Sequence, residues 1–182
     1  MIEETLLIAQ LKSIQTKEKA FRQLIFLYKE PLYWHIRKIV ISHDDADDVL
    51  QNTFIKIFKN IDKFNQESKL FTWMYRIATN ESITFINKKA KQRNINITDY
   101  QQELVSSLAS DDFFTGDEIQ LILQKAIAIL PRKQQLVFNM KYFDELKYNE
   151  MSEILGTTVG ALKASYFHAV KKIESYIKKY TD

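Results

Sequence analysis

Apolar residues recur every three or four positions along most of this chain, which is the spacing of one face of an α-helix. The stretch from 16 to 41 shows the pattern most clearly, at Phe21, Leu24, Ile25, Tyr28, Leu32, Ile36 and Ile39. The alternation typical of β-strands is scarce, and the chain has three glycines and two prolines. The pattern therefore predicts an all-α fold.

The first half of the chain predicts three or four helices, a short one over 5–11 and longer ones over 16–41, 44–61 and 70–91. Pro31 lies inside the second, where its missing N–H predicts a bend or an interruption. Ser68 is a candidate N-cap for the last of them. In the third helix, the apolar spacing predicts a buried face of Val49, Leu50, Phe54, Ile57, Phe58 and Ile61.

The second half begins with a segment of weak periodicity over 94–116, which predicts a mobile linker with room for a short amphipathic turn over 104–108. Helical spacing resumes with predicted helices over 118–130, 132–142, 148–155 and 159–180. Gly156, Thr157 and Thr158 separate the last two, which is the arrangement of a helix-turn-helix. The expected organisation is two small helical domains, 1–93 and 118–182, joined by a linker over 94–117.

Charge is unevenly distributed, although the net charge of the 182 residues is only +3. Residues 1–93 hold 16 Lys or Arg against 11 Asp or Glu, and residues 119–182 hold 10 against 6. Residues 94–118 hold six acids and no base. Two basic blocks beside an acidic spacer suggest two domains that share a polyanionic partner. Simple solvation of helix surfaces explains the charge equally well.

Several classes of protein are disfavoured. The chain has no cysteine, so disulfides and thiolate metal sites are excluded. No apolar run approaches membrane-spanning length and the N-terminus lacks a signal-peptide pattern, so we expect a cytoplasmic protein without membrane insertion. His35, His43 and His168 are scattered, and there is no Gly-rich phosphate loop. We therefore expect no enzyme, no cofactor and no metal.

Two pairs of motifs carry a family resemblance. Residues 45–54 read DADDVLQNTF and residues 71–80 read FTWMYRIATN. Residues 130–138 read LPRKQQLVF and residues 148–163 read YNEMSEILGTTVGALK. In this order and spacing, the motifs resemble the second and fourth conserved regions of bacterial sigma factors, specifically the extracytoplasmic-function (ECF) group. The resemblance covers about 21–93 and 118–180.

The resemblance implies a protein without catalytic activity that binds core RNA polymerase, directs it to promoter DNA and helps to open the duplex. The family uses the acidic surface of the 44–61 helix against the clamp helices of the largest polymerase subunit. The implied contacts here are Asp47, Asp48, Gln51, Asn52 and Phe54. The rival interpretation of these acids is a divalent-cation site. It is disfavoured because the sequence here lacks the glycine-containing loop of an EF-hand.

The resemblance also implies two DNA-binding surfaces. Melted DNA would contact the loop before the aromatic helix and the polar end of that helix, at Asn65, Gln66, Ser68, Lys69, Asn80, Lys88 and Lys89. Trp73 and Ile77 are expected in the core instead. The recognition helix would contact duplex DNA through Thr158, Lys163, Ser165, Phe167 and His168. Core packing is expected for one of the adjacent rings Tyr166 and Phe167.

The recognition helix departs from the family pattern, because Ser165 and His168 stand where arginines are usual. Fewer arginines mean fewer bidentate guanine contacts, so altered upstream-element specificity is expected. The family also suggests an anti-sigma protein as partner, often one anchored in a membrane. The alternative function is a helix-turn-helix regulator that binds duplex operator DNA without polymerase, although such a protein has no reason to carry the first pair of motifs.

Overall fold

The computed structural model describes residues 4–107 and 118–181, and these residues form helices without a β-strand, as the apolar spacing predicts. The chain divides into two compact units, Met1–Phe85 and Ile86–Asp182. The predicted boundaries at 93 and 118 stay a prediction. Within the described residues, no helix has both the length and the apolarity needed to cross a membrane.

The helices of the first half are α1 (Glu4–Lys12), α2 (Lys17–Val40), α3 (His43–Asn60) and α4 (Leu70–Gln92), with a 3₁₀ turn at Ile61–Lys63 after α3. In the first unit, α1 and α3 pack against α2. The side chains buried most completely there are Leu11, Leu24, Leu32, Ile36, Ile57, Ile61, Phe64, Leu70 and Met74. Burial of these apolar faces, rather than intrinsic helix propensity, supplies most of the stability of such helices.

Pro31 does not interrupt α2, so the expected interruption is wrong. The Pro31 side chain is exposed, and so is Leu27. Because proline has no N–H, the Leu27 carbonyl does not receive the helical hydrogen bond that residue 31 would otherwise donate. Pro31 and Leu27 thus lie on the exposed side of the helix, while Leu24, Leu32 and Ile36 are fully buried in the core and anchor α2 on both sides of the proline.

Most of the expected face of α3 is buried, but Phe58 is an exception. Val49, Leu50, Phe54 and Ile57 are at most 8% exposed, whereas Phe58 is 37% exposed. Trp73 and Ile77 of α4, expected in the core, are only partly buried. The core positions of α4 are instead taken by neighbours that are 0 to 3% exposed, Leu70, Met74, Tyr75 and Ala78.

The helices of the second half are α5 (Ile97–Ser107), α6 (Glu118–Ala128), α7 (Arg132–Tyr142), α8 (Tyr148–Leu155) and α9 (Val159–Thr181). Helix α9 packs against α6, α7 and α8. Its core cluster is Ala126, Ile127, Leu130, Phe138, Ala169 and Ile173. The predicted bounds of α7 and α8 agree with the structure.

Part of the segment over 94–116, expected to be a mobile linker, forms helix α5. Asn96 accepts a hydrogen bond from the Asp99 N–H at 2.9 Å, which caps the helix. Tyr100 and Leu104 are buried one turn apart, and α5 packs against α6. The remaining part of the predicted linker, 108–117, lies outside the described residues, as does part of the predicted turn over 104–108.

Candidate functional site

The first candidate surface is the acidic face of α3. Ser42 caps this helix by accepting a hydrogen bond from the Asp45 N–H at 3.4 Å. Asp47, Asp48 and Gln51 are exposed and, together with Asp44, fall within an arc of roughly 100° around the helix. The opposite face is anchored in the core by Ala46, Val49, Leu50, Thr53 and Ile57. The structure therefore brings these predicted contacts together on a fixed helix face.

The remaining predicted contacts of α3 differ in exposure. Asn52 is exposed, but Phe54 is only 8% exposed and meets the Phe21 ring edge-to-face at 6.2 Å. Ile55 and Phe58, 45% and 37% exposed, continue the acidic face instead. Sequence reasoning missed Ile55, although its position four residues after Gln51 could have indicated it. Phe54 supports this surface from beneath, and Ile55 adds an apolar patch to it.

His43 is the basic group nearest the start of the acidic face. Its Nε2 lies 3.7 Å from an Asp47 carboxylate oxygen, and its Nδ1 lies 2.6 Å from the Tyr33 hydroxyl. Across the described ranges 4–107 and 118–181, three or more His, Asp or Glu side chains never converge in a geometry able to hold a metal ion.

The second candidate surface is the loop between the 3₁₀ turn and α4. Phe64 and Leu70 at its ends are 2% and 0% exposed. Between them, Asn65, Gln66 and Lys69 are exposed and Ser68 is partly buried. Gln66 has φ 61°, a left-handed conformation that reverses the chain. The four predicted loop contacts thus lie in one short surface loop, the arch of residues 65–69, whose two flanking residues are buried.

Ser68 does not cap α4. The helix begins one residue later than a Ser68 cap requires, and the Leu70 N–H donates a hydrogen bond to Glu4 Oε1 of α1 at 3.0 Å. Sequence reasoning missed Glu4 because the contact joins residues 66 positions apart. Local cap patterns cannot reveal a cap supplied by a distant helix.

The predicted contacts of α4 separate into different environments. Asn80 is exposed, and the exposed residues Arg76 and Thr84 share its face at four-residue spacing. Lys88 is exposed, whereas Lys89 is partly buried. Lys88 continues the four-residue spacing of Asn80 and Thr84 along α4, whereas Lys89 falls about 180° around the helix from Asn80. Arg76, which sequence reasoning did not single out, adds a positive charge beside Asn80.

The third candidate surface begins at the turn between α8 and α9. Gly156 has φ 61°, a left-handed conformation that glycine adopts without steric cost. Thr158 Oγ1 accepts a hydrogen bond from the Ala161 N–H at 3.3 Å, which is the predicted N-cap. Ser152 Oγ donates to the Thr157 carbonyl at 2.5 Å. The predicted helix-turn-helix is therefore present, with its turn held on both sides.

Along α9, the exposed face combines an aromatic ring with positive charge. Phe167 is 54% exposed, and Lys171 Nζ lies 4.5 Å from the centre of its ring. Lys163 and His168 are exposed beside it, whereas Ser165 is partly buried and lies away from Phe167 around the helix. The face therefore presents Lys163, Phe167, His168 and Lys171, and not Ser165.

Tyr166 lies on the buried side of α9, which confirms the expectation that one of the two rings belongs to the core. It packs on the core cluster of the second unit, and its ring stacks on Phe138 with 5.8 Å between centres. Burial, followed by the nearby Tyr148 and Tyr142, raises the pKa of the Tyr166 phenol. Tyr166 thereby fixes the rotation of α9 that exposes Phe167.

Two family models match this chain. One describes sigma-70 region 2 and matches residues 24–92, and the other describes sigma-70 region 4 and matches residues 120–173. The first match contains α3, the loop and α4 up to its last residue, and the second contains α7, α8 and most of α9. All three candidate surfaces thus lie within regions that the family models describe.

Curated relatives match most of the chain. The ECF RNA polymerase sigma factor SigW of Bacillus subtilis is 31% identical over 169 residues, covering 88% of this chain and 90% of the relative. The ECF RNA polymerase sigma-E factor of Haemophilus influenzae is 27% identical over 172 residues, covering 90% of each.

Solved structures show the same fold. CnrH, in complex with the cytosolic domain of CnrY, superposes with a TM-score of 0.70 and 20% identity over 97% of each chain. The sigma factor RpoE from Bartonella quintana, in complex with the anti-sigma factor NepR, superposes with a TM-score of 0.68 and 20% identity, covering 88% of this chain and 98% of that one.

Proposed function

This chain belongs to the ECF group of the sigma-70 family of RNA polymerase sigma factors, and from that membership we propose which of its surfaces perform each part of transcription initiation. A sigma factor binds core RNA polymerase and directs it to promoters. The observation that carries the assignment is the 31% identity to an ECF sigma factor over 88% of the chain. A helix-turn-helix regulator would account for α8 and α9 but not for the region 2 match over 24–92.

The acidic face of α3 is the proposed polymerase contact. Asp47, Asp48 and Gln51 present negative and polar groups to a basic partner, and Ile55 and Phe58 supply apolar anchors on the same face. Charge complementarity guides association, while apolar anchors contribute most of the affinity of an interface. Asn52 borders this face, and Phe54 acts through its packing beneath it.

The loop from Phe64 to Leu70 and the exposed face of α4 are the proposed contacts for melted promoter DNA. An unpaired base offers hydrogen-bonding edges to the amides of Asn65 and Gln66 and to the Ser68 hydroxyl. Lys69 at the loop and Arg76 beside Asn80 supply positive charge for the phosphates. The proposed roles of Lys88 and Lys89 rest on family resemblance and charge.

Helix α9 is the proposed reader of the upstream promoter element in the major groove. Lys163 and Lys171 flank the exposed ring of Phe167, which suits a phosphate-anchored helix with an apolar contact to a thymine methyl group. His168 lies at the edge of this face, and Thr158 lies at the N-terminus of the helix. Ser165 is placed for packing more than for base contact.

An anti-sigma protein is a further proposed partner, since two proteins of the same fold are seen in complexes with CnrY and with the anti-sigma factor NepR. Sigma factors in general are not enzymes, and we expect this chain to act without catalysis of its own. Its proposed location is the cytoplasm, where RNA polymerase and promoter DNA are found.

Reversing charge on α3 tests the polymerase surface. The double variant Asp47→Lys, Asp48→Lys should weaken binding to core RNA polymerase by at least about tenfold, because two attractive pairings become repulsive. Both side chains are exposed, so the helix content should be unchanged by circular dichroism. Binding is measured by titrating core polymerase with the labelled protein at two salt concentrations.

The matched control is Glu18→Lys, Glu30→Lys, which makes the same change in net charge at two exposed positions of α2. The control should bind core polymerase like the original protein. Equal affinity of the α3 variant and the original protein would remove α3 as the interface. Equal weakening by both variants would show that overall charge, and not this face, governs binding.

A further inference from the structure

Both ends of the loop proposed to contact melted DNA are held by charged side chains of α1. At the first end, Lys12 Nζ donates a hydrogen bond to the Phe64 carbonyl at 2.5 Å. At the second end, Glu4 Oε1 accepts a hydrogen bond from the Leu70 N–H at 3.0 Å. Phe64 and Leu70 are the two buried residues that bound the arch, so α1 holds the backbone at both anchors.

Helix α1 is itself fixed in the core. Leu7, Ile8 and Leu11 are buried, and α1 packs against α2 and against the 3₁₀ turn that leads into the loop. Glu4 and Lys12 are eight residues apart, so their backbones lie about 12 Å apart along the helix axis. A rigid helix of this length sets the span between the two anchors of the arch.

Further contacts fix the same arrangement. Lys17 at the start of α2 pairs with Asp62 of the 3₁₀ turn at 2.7 Å, and Thr16 Oγ1 donates to the Gln10 carbonyl at 2.8 Å, which closes the turn between α1 and α2. These two contacts tie the start of α2 to the 3₁₀ turn and to the end of α1.

We propose that Glu4 and Lys12 are positioning residues that preorganise the 64–70 loop for capture of an unpaired promoter base, an inference that rests on the proposed role of that loop. A free loop must lose conformational entropy when it binds, and each fixed backbone residue removes part of that cost beforehand. A charged side chain bonded to a backbone group is the stronger kind of hydrogen bond. Without Glu4 and Lys12, the backbone at Phe64 and Leu70 would lose a charged hydrogen-bond partner at each end of the loop.

The test uses holoenzyme and a single-stranded oligonucleotide carrying the nontemplate sequence of a mapped promoter. The double variant Glu4→Met, Lys12→Met removes both polar groups and keeps the side-chain stems. This variant should bind the oligonucleotide about tenfold more weakly. A change of that size equals the net stabilisation that one to two hydrogen bonds provide. Binding of the variant to core polymerase should be unchanged, because the α3 face is untouched.

Three comparison variants isolate the positioning role. Glu4→Gln keeps an acceptor and Lys12→Arg keeps a donor, so this pair should retain oligonucleotide binding within about twofold. Glu18→Met, Lys19→Met makes the same chemical change at exposed residues that have no hydrogen bond or ion pair to any described part of the chain, and it should have no effect. Asn65→Ala changes the loop itself and should weaken binding.

The outcomes separate the two proposals. Weak binding by the Asn65 variant together with original affinity in the Glu4 and Lys12 double Met variant would overturn the positioning role and leave the loop's function standing. Unchanged binding by both would remove the loop as the DNA contact, and the positioning role with it. The positioning role would also be overturned if the control Glu18→Met, Lys19→Met bound as weakly as Glu4→Met, Lys12→Met. The effect would then not be specific to the residues that hold the loop.

Discussion

Tyr166 and Phe167 of α9 show how one residue step separates a packing side chain from one on the proposed recognition surface. The Tyr166 ring stacks on Phe138 within the core of the second unit, whereas Phe167 is 54% exposed with Lys171 over its ring. Successive residues of a helix point about 100° apart, so one side chain can anchor the helix while its neighbour faces a ligand. Truncating each ring in turn can therefore separate an effect on stability from an effect on DNA binding.

Truncating each ring should give opposite results. Tyr166→Ala should lower the free energy of unfolding of the second unit by about 2 kcal/mol, because it leaves a cavity beside Phe138. Phe167→Ala should change it by less than about 0.5 kcal/mol but weaken binding of the holoenzyme to duplex promoter DNA. Amide hydrogen exchange at Leu162 and Ala169 measures stability, and fluorescence anisotropy measures binding. Strong destabilisation by Phe167→Ala would contradict its assignment to the exposed face.

At the same scale, some side chains could be predicted from the sequence and others could not. Asp47, Asp48 and Gln51 were expected at the polymerase surface because their motif resembles that of the ECF group, and all three are exposed. Ile55 was missed because apolar residues in a helix were assumed to be buried, although its position four residues after Gln51 places it on the acidic face. Glu4 was missed because its partner, Leu70, is distant in sequence.

At the scale of single elements, the N-terminus of α7 contains an unusual charge. The three guanidinium nitrogens of Arg132 are inaccessible to solvent and have no hydrogen-bond partner in the described residues. Burial lowers the pKa of this guanidinium. A positive charge at the first residue of a helix also opposes the helix dipole. The protonated side chain is therefore less favourable in the folded unit than in the unfolded chain.

Removing this charge should stabilise the second unit. At neutral pH, Arg132 is protonated in both the folded and the unfolded state. Because burial lowers the pKa of the folded state, the protonated guanidinium reduces the free energy of unfolding throughout this pH range. Arg132→Met keeps the stem and should raise the free energy of unfolding by about 1 kcal/mol. The control is Lys133→Met, at the exposed neighbouring position, which should have little effect. Destabilisation by Arg132→Met in hydrogen exchange would show that the guanidinium has a partner in solution.

Helix bounds were predictable for α7 and α8, where Pro131 directly precedes the first and Gly156 directly follows the second. The prediction failed at α5, whose buried side comprises few residues, among them Tyr100 and Leu104 one turn apart, too little for periodicity to stand out. The expected interruption at Pro31 also failed, because local rules do not include the buried contacts that hold α2 in the core before and after the proline. In both places tertiary packing decided the outcome, and packing is not contained in a local pattern.

At the scale of the whole molecule, the two family regions explain the distribution of charge. Region 2 carries both the acidic face of α3 and a basic, amide-rich surface at the loop and α4, while region 4 carries the lysines around Phe167. The proposed assignment thus gives one chain a surface for a protein partner and two surfaces for DNA. This combination is what promoter-specific initiation requires, and a duplex-binding regulator needs only the last of the three.

Reconstituted transcription tests this account most directly. Core RNA polymerase from the same bacterium is supplied with fragmented genomic DNA, with and without the purified protein, and the 5′ ends of the transcripts are sequenced. The account predicts a discrete set of start sites that appears only when both proteins are present and shares one pair of upstream sequence elements. An unchanged transcript profile, or tight sequence-specific binding of duplex DNA by the protein without core polymerase, would contradict it.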